Sequence, residues 1–394
     1  MKRERRPDVN QIDPGTPTWL AARNDRTAFR LILEHGALTR SQLGELTGLS
    51  KPTASQMLAR LERVGLIRPV GELSGGRGPN AITYGVRTDR ITGVAISILD
   101  RAIQAVVVDA VDQDHPIVQI STEALERSPE GDVRAAVRAA CAEAGIDEST
   151  VSRVVIGVQA AFFVDGDELS FTDTLPGWPE IGARARIERE LGLQVTIDND
   201  VNLATMAERS AGAAQQAASF ALFWIGDGLG VGLDLGGVVH RGASGGAGEI
   251  GYLAVPRTAE PLAPAANDFT DLLGGPAVVR LLGDGGRGET LAEVLPRLAH
   301  DDNALSALAD RVILAVNPLL AILDPSMIVL GGPTGIAGGA RLAELVAERV
   351  DAAAHPKLVM RTSGTGAQPV LLGARQQLVE QIRDHLEADI SLAS

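Results

Sequence analysis

Hydrophobic positions recur at helical spacing in three short segments between residues 19 and 64, and these segments predict three helices. The apolar positions are Ala28, Leu31, Ile32 and Leu33 in the first segment, Leu43 and Leu46 in the second, and Ala54, Met57, Leu58 and Leu61 in the third. Gly36 ends the first helix, Gly48 supplies a left-handed turn, and Ser50 caps a third helix from Lys51 to Val64.

Two β-rich segments follow the helices, at 66–71 and 81–86, and a glycine-rich stretch that contains Arg77 joins them. Three helices and such a hairpin predict a winged helix-turn-helix domain over residues 19–88. A protein-docking module of the same shape is the alternative. Residues 1–18 are rich in proline and charge and lack a hydrophobic period, so they predict a flexible arm.

The third predicted helix presents a polar face opposite its apolar one. Its short and polar side chains suit base edges and phosphates in the major groove, while Arg77 would reach a minor groove or a phosphate. An ordinary solvated helix face is the alternative interpretation. The predicted DNA-binding residues are Lys51, Pro52, Thr53, Ser55, Gln56, Arg60 and Arg77.

From residue 89 to the end, β-rich segments alternate with helical ones, which predicts an α/β body. Strands are expected at 91–98, 102–108, 153–159, 219–224, 231–235 and 327–330, and helices at 133–144, 303–323 and 341–350. The size of this body, and the repetition of the pattern within it, indicate two lobes with a cleft between them.

Charge is divided unevenly between the two parts. Residues 1–90 carry 15 Lys/Arg and 9 Asp/Glu, a net charge of +6, whereas the remaining residues carry −20 within a total of −14. A basic head on an acidic body is typical of a DNA-binding domain joined to a soluble sensor or enzyme, since phosphate contacts need only local positive charge. The alternative interpretation is an accidental cluster of arginines, which would give the same net charges.

Composition excludes several classes of protein. With 45% hydrophobic residues among 394 the chain is not globally disordered, and a single cysteine, Cys141, forms no internal disulfide. The longest apolar stretch, 312–323, is interrupted by Asn317-Pro318 and falls short of the roughly 18 residues of a membrane span. We therefore expect a cytoplasmic protein that makes no membrane contact.

Polar residues gather at three places in the body. The segment 195–202 sets Asp198, Asn199 and Asp200 where a strand gives way to a helix, a position that points into a cleft, although one of these residues is expected merely to cap the helix. The glycine-rich turn 225–232 is a weak phosphate-loop signal. The segment 242–252 sets Glu249 and Tyr252 among small residues, which favours ligand contact.

Taken in order, these motifs resemble the ROK family of sugar kinases and sugar-responsive transcriptional regulators, in particular its repressor branch. The head segments are 43–53 and 76–79, and the body segments are Asn199-Asp200, 226–230, 248–251 and 329–332. The resemblance implies a two-lobed, actin-like sugar-kinase fold with a hinge near 198–202 and a C-terminal helix returning to the first lobe. It further implies that Asn199, Asp200, Glu249, Tyr252 and Thr174 bind a sugar, with Asp200 a vestigial catalytic base.

Two departures from the family pattern shape the functional prediction. The kinases carry Asp-x-Gly-Gly-Thr on the first strand of the body, whereas this chain has Ala-Ile-Ser-Ile-Leu at 95–99, without the carboxylate or either glycine. The family's zinc site uses a histidine where Tyr252 stands and cysteines just downstream, and residues 253–268 contain neither. We therefore expect no metal and no cofactor.

The sequence thus predicts a DNA-binding repressor of carbohydrate genes, a homodimer or homotetramer that binds operator DNA and responds to a sugar or phosphosugar. A sugar kinase with an incidental head is one alternative, which the degenerate first phosphate loop disfavours. A DNA-binding protein that ignores sugars is the other.

Overall fold

In the computed structural model of the chain, residues 16–74, 80–123, 126–170, 175–283 and 288–392 are described. They form a small helical head followed by two lobes, each built on a five-stranded sheet. The head contains α1 (Pro17–His35), β1 (Leu38–Thr39), α2 (Arg40–Thr47), α3 (Lys51–Arg63), β2 (Ile67–Leu73) and β3 (Ala81–Val86).

The helices of the head begin where the sequence supplies caps. The Ser50 side chain accepts a hydrogen bond from the Thr53 N–H at the start of α3, and Gly48 ends α2 with φ 68°. The apolar positions of α3 are buried against α1, as its spacing predicts. The two-residue strand β1 was not predicted; it pairs with β3, so the wing is a three-stranded antiparallel sheet in the order β1-β3-β2.

The flexible arm predicted over residues 1–18 overlaps the first helix by two residues. Helix α1 begins at Pro17 because the Thr16 side chain accepts a hydrogen bond from the Trp19 N–H, and a proline in the first turn loses no intrahelical donor. Pro17 and Thr18 therefore belong to the head.

Lobe 1 contains a sheet in the order β10-β7-β4-β5-β6, in which β4, β7 and β10 are parallel. Its elements are β4 (Thr92–Ile98), β5 (Ala102–Val108), β6 (Val118–Ser121), α4 (Pro129–Ala144), β7 (Val151–Val158), β8 (Ala161–Phe163), β9 (Glu168–Ser170), α5 (Ala183–Leu191), β10 (Gln194–Asn199) and α6 (Asp200–Ala211). Val94 and Ile96 of β4 pack with the α4 side of the sheet, whereas Ala95 packs with the opposite side, so both faces are covered.

Lobe 2 contains a sheet in the order β13-β12-β11-β14-β15. Its elements are β11 (Ser219–Ile225), β12 (Leu229–Leu235), β13 (Val238–Val239), α7 (Phe269–Leu273), α8 (Gly275–Leu282), α9 (Leu291–Leu298), α10 (Asp302–Leu323), β14 (Met327–Gly331), α11 (Gly332–Ala347) and β15 (Val359–Thr362). Helices α7 to α11 cover one face of this sheet, and α6 reaches its other face from lobe 1.

Helix α6 packs unusually closely against lobe 2. A Cβ atom on Gly232 of β12 would lie 1.8 Å from the Thr205 hydroxyl oxygen of α6, and one on Gly230 would lie 3.1 Å from Val201. Only glycine allows this approach. The helix that begins at the predicted cleft is therefore held between the two sheets.

The chain ends in α12 (Pro369–Leu392), which returns to lobe 1 and packs across β4, β7 and α6. The same helix receives the head. Arg30 of α1 donates two hydrogen bonds to the Glu387 carboxylate, at 2.7 and 2.6 Å. Arg90 bridges the Val64 carbonyl oxygen and Asp389, at 2.6 Å each.

The helix predicted at 303–323 is confirmed by α10, which continues through Pro318 in the middle of the apolar stretch. Burial of its apolar residues in the core of lobe 2 offsets the roughly 3 kcal/mol that an interior proline costs. Among the described residues α10 is the one helix long and apolar enough to cross a membrane, and 44% of its most apolar window is buried inside the protein.

The head depends on one buried ion pair. Asp25 of α1 is 1% exposed, and Arg60 of α3 donates to both of its oxygens, at 2.6 and 2.7 Å. We predict that Arg60→Met destabilises the head by about 3–5 kcal/mol, because it leaves a buried carboxylate without its partner. Urea unfolding measures the loss, with all variants compared in a Trp178→Phe/Trp224→Phe background so that fluorescence reports Trp19 of the head.

The double variant Asp25→Leu/Arg60→Met is the matched control, since replacing both charges by apolar groups removes the uncompensated carboxylate. It should regain most of the stability that Arg60→Met loses. Equal stability of Arg60→Met and the parent protein would contradict a structural role for this pair.

Candidate functional site

A cavity of about 330 Å³ lies between the two lobes. Lobe 1 contributes the end of β7 and the junction of β10 with α6, while lobe 2 contributes the β11–β12 turn and the loop around Glu249. The lining residues are Gln159, Ala160, Ala161, Asn199, Asp200, Val201, Trp224, Gly226, Asp227, Gly228, Leu229, Gly230, Val231, Ala247, Gly248, Glu249, Tyr252, Thr270 and Pro333.

Asn199 fixes the start of α6. Its side-chain oxygen accepts hydrogen bonds from the Val201 and Asn202 N–H groups, at 2.9 and 3.2 Å, and its amide nitrogen donates to the Ala160 carbonyl at 3.2 Å. The alternative interpretation of a helix cap therefore holds for Asn199. The same side chain also lines the cavity, so capping orients it toward any ligand there.

Asp200, the next residue, is the first residue of α6 and faces the cavity. Burial, assisted by the nearby Glu249 charge, raises the pKa of Asp200 to about 7, against the lowering effect of the Val201 N–H bond. Burial also raises the pKa of Glu249. Ionisation of both carboxyl groups in this poorly solvated cavity is therefore unfavourable. Hydroxyl groups of a ligand that donate hydrogen bonds to the carboxylates would stabilise the ionised forms.

The loop that carries Glu249 is held against β12 by glycine. A Cβ on Gly248, which has φ +91°, would lie 1.8 Å from the Val231 carbonyl oxygen, and the Val231 N–H donates to the Gly248 carbonyl at 2.9 Å. Tyr252 follows on a short 3-10 turn and is 56% exposed at the cavity mouth.

Four of the predicted sugar-binding residues therefore meet in one cavity: Asn199, Asp200, Glu249 and Tyr252. Thr174 lies outside the described residues. Gln159, Trp224, Asp227 and Thr270 also line the cavity but were not predicted as contacts. Trp224 and Asp227 stand beside and within the predicted glycine-rich turn, whereas nothing local in the sequence distinguishes Gln159, just after β7, or Thr270, in α7, from their neighbours.

A second cavity, of about 430 Å³, lies on the other side of Asn199. An ion pair between the lobes lines it: Arg241, in the loop after β13, donates to Asp198 of β10 from Nη2 at 2.5 Å and from Nε at 3.0 Å. Asn202 also donates to Asp198, at 3.3 Å. Asp198 is thus occupied in joining the two lobes and is not a contact of the first cavity.

The segment 95–99, which stands where the family's kinases carry their first phosphate loop, forms the end of the buried strand β4 and the turn after it. Ser97 and Ile98 of β4 are each 1% exposed, and the Leu99 N–H donates to the Ala102 carbonyl at 2.8 Å, which closes a tight hairpin into β5. Among the described residues no group of three His, Cys, Asp or Glu side chains is placed to hold a metal ion.

Some side chains on the proposed DNA-binding face of α3 are exposed to solvent, and others contact the rest of the head. Lys51, Pro52 and Gln56 are exposed, and Thr53 and Ser55 are half-buried on the same side of the helix. Arg60 donates to Asp25 with its Nε and Nη2 atoms and keeps 26% of its side chain exposed, so its contact with DNA stays a prediction. Arg77 lies outside the described residues.

Comparison with known proteins agrees with this division of the chain. Residues 102–381 match the ROK family, and residues 23–78 match the MarR family. The xylose repressor of Bacillus spizizenii is 22% identical over 251 residues, which cover 62% of this chain and 63% of the length of that repressor.

Two solved structures are similar in fold. A ROK family transcriptional regulator, a homologue of the Escherichia coli MLC protein, superposes with a TM-score of 0.67 at 16% identity, covering 95% of this chain and 99% of that one. The ROK hexokinase of Thermus thermophilus superposes with a TM-score of 0.59 at 25% identity, covering 75% of this chain and all of that one. Because the ROK match extends over well more than half of its residues, and because its two lobes and cleft have the architecture of these relatives, the chain belongs to the ROK family.

Proposed function

We propose that this protein is a sequence-specific transcriptional repressor whose affinity for operator DNA changes when a sugar binds between its lobes. The observation that carries the proposal is the union, in one chain, of a winged-helix head exposing Lys51 and Gln56 on α3 with a cleft where Asp200 and Glu249 meet. The name of the Bacillus relative, a xylose repressor, supports the same combination.

Three neighbouring helices offer a physical route from the cleft to the head. Asp200 begins α6, α6 packs along α12, and α12 carries Glu387 and Asp389, which bind α1 and the end of the head. A sugar that draws lobe 2 toward α6 would shift α12 and with it the docked head. In a homodimer or homotetramer such a shift changes the spacing of two heads, and half-sites one helical turn apart are then missed.

We further propose that the cleft binds without transferring phosphate. The first strand of the body has Ala-Ile-Ser-Ile-Leu at 95–99, without the carboxylate and glycines that the family's kinases use to hold phosphate, which supports a cleft where Asp200 has no phosphoryl donor to act with. Its proposed role is to accept a hydrogen bond from a sugar hydroxyl. Operator DNA as partner implies that the protein works in the cytoplasm of a bacterial cell.

The general test is a screen of sugars by thermal shift on the full chain, followed by operator binding in the presence of each compound that stabilises it. A sensor gains stability by mass action and loses operator affinity with the same compound. Stabilisation by a sugar without any change in operator affinity would contradict the sensing half of the proposal and leave DNA binding intact.

Gln56 tests base recognition by α3. We predict that Gln56→Ala weakens operator binding by about 1–3 kcal/mol while binding to random DNA changes little, because a glutamine that reads a base edge contributes only at the correct sequence. Lys51→Ala is the matched control. It should weaken binding to operator and random DNA alike, and it should reduce by about one the number of ions released on binding, measured from the salt dependence of the affinity. Equal losses for Gln56→Ala on both DNAs would contradict base reading.

Asp200 gives the cleft a pH dependence whose sign is fixed. Its pKa is raised to about 7, so below pH 7 the carboxyl is mostly protonated and cannot accept hydrogen bonds on both oxygens. A sugar hydroxyl that donates to the carboxylate favours the ionised form, lowers its pKa and releases a proton. We predict that sugar affinity rises roughly fivefold to tenfold between pH 6 and pH 8.

Calorimetry of the screened sugar in two buffers of different ionisation enthalpy measures both the affinity and the released protons. Asp200→Asn should flatten most of the pH dependence, with a residual slope from Glu249, whose pKa is also raised. An affinity that falls as pH rises would contradict this role for Asp200.

Glu387 tests the route through α12. Its carboxylate accepts two hydrogen bonds from Arg30 across the junction of head and body. We predict that Glu387→Gln changes sugar affinity and operator affinity by less than about twofold each, yet reduces the coupling between them by about 0.5–2 kcal/mol. Glu344→Gln removes an ion pair on the surface of α11 and serves as the control. If the sugar lowers operator affinity by the same factor in Glu387→Gln as in the parent protein, this junction is not part of the route.

A further inference from the structure

The charges that line the first cavity have one sign. Asp200, Asp227 and Glu249 contribute three carboxyl groups, and among the described residues that line this cavity there is no Lys, Arg or His. Arg241 stands in the neighbouring cavity and is engaged by Asp198. A phosphate group entering the first cavity would therefore meet carboxylates without a cation to balance it.

Asp227 is positioned where a nucleotide-binding protein would present bare backbone to phosphate. It forms the tip of the β11–β12 turn, in which the Gly226 N–H donates to the Gly228 carbonyl at 3.0 Å. The Asp227 carbonyl accepts a hydrogen bond from the Gly275 N–H at 3.0 Å, and a Cβ on Gly275 would lie 2.7 Å from the Asp227 Oδ1 atom. The carboxylate thus lies beside the start of α8, and Asp227 itself is exposed.

Two rings cover the other side of the same turn. A Cβ on Gly226 would lie 3.1 Å from the Trp224 Nε1 atom and 3.6 Å from the Pro333 Cδ atom. Gly226 is accordingly buried. A phosphate therefore cannot approach the backbone at Gly226, while at the exposed Gly228 it would stand directly beside the Asp227 carboxylate.

The cavity is better matched to a neutral polyol. Carboxylate oxygens accept hydrogen bonds from hydroxyls, the Gln159 and Asn199 amides and the Thr270 hydroxyl add further polar groups, and the Trp224 ring supplies an apolar surface at the same wall. Because burial raises the pKa of Asp200, hydroxyl groups that donate hydrogen bonds to it would stabilise its ionised form.

We propose that the cleft recognises an unphosphorylated sugar and excludes phosphate esters and nucleotides, with Asp227 as the residue that sets this specificity. The inference rests on the proposed sugar-sensing function and narrows it to one class of effector. A sugar phosphate carries between one and two negative charges near pH 7. Each additional like-charge pair at a partly solvated site costs roughly tenfold in affinity.

The test uses the full chain and matched pairs of probes: glucose and glucose 6-phosphate, N-acetylglucosamine and its 6-phosphate, and xylose and xylose 5-phosphate, with ATP and magnesium as the nucleotide. Thermal shift selects the pair, and calorimetry with operator release measures each member. The expected result is one free sugar that binds and releases DNA, its ester weaker by tenfold or more, and no response to ATP.

Asp227→Asn should narrow the ratio of free sugar to ester affinity by roughly tenfold. Asp165→Asn is the control, because Asp165 lines the second cavity and its charge lies outside the first. The same ratio in Asp227→Asn and the parent protein would remove Asp227 from the explanation of specificity.

An ester that binds as tightly as its free sugar, or a thermal shift with ATP, overturns the inference while the proposed repressor function stands. If no probe stabilises the protein or changes its operator affinity, both this inference and the sensing half of the proposed function fail, and a DNA-binding protein that ignores sugars remains.

Discussion

The packing of α6 is the constraint on which the rest of the molecule depends. This helix starts at the cleft with Asp200, presses Val201 and Thr205 against the glycines of β12, and lies along α12 on its remaining side. Because a close-packed interface of this kind does not deform continuously, a ligand that alters the contacts at the start of α6 must move whole elements. The elements available to move are lobe 2 on one side and α12, with its docked head, on the other.

The two lobes are also joined by the Asp198–Arg241 pair on the far side of Asn199. Asp198 is 6% exposed and receives hydrogen bonds from Arg241 and Asn202, so its charge is compensated. Burial raises the pKa values of the cleft residues Asp200 and Glu249, and among the described residues that line their cavity there is no Lys, Arg or His. The charge of Asp198 is therefore balanced within the protein, whereas the cavity on the other side of Asn199 keeps carboxyl groups that a ligand could hydrogen-bond.

Much of this could be predicted from the sequence, for reasons that are local. The faces of α3, its caps and the glycine turn before it follow from side-chain spacing, and Asn199, Asp200 and Glu249 stand in motifs that retain their order. Other features depend on residues distant in the chain. Nothing near Arg60 reveals that Asp25, 35 positions earlier, will bind its guanidinium. Residues that share the cleft from opposite lobes, such as Gln159 and Trp224, come together only when the two lobes are assembled.

The buried hairpin of β4 and β5 bears on how a kinase-type cleft would serve the proposed sensor. In a kinase, binding energy is used on positioning a phosphoryl donor and on contacts made only in the transition state. In this chain Ser97 and Ile98, at the place of the family's first phosphate loop, are buried in lobe 1. In the proposed function sugar binding acts through its different contacts with open and closed lobes, since a ligand shifts a conformational equilibrium by its difference in affinity for the two states. Lobe closure would then be reversible, and the proposed route through α12 would carry it to the docked head and change where α3 meets DNA.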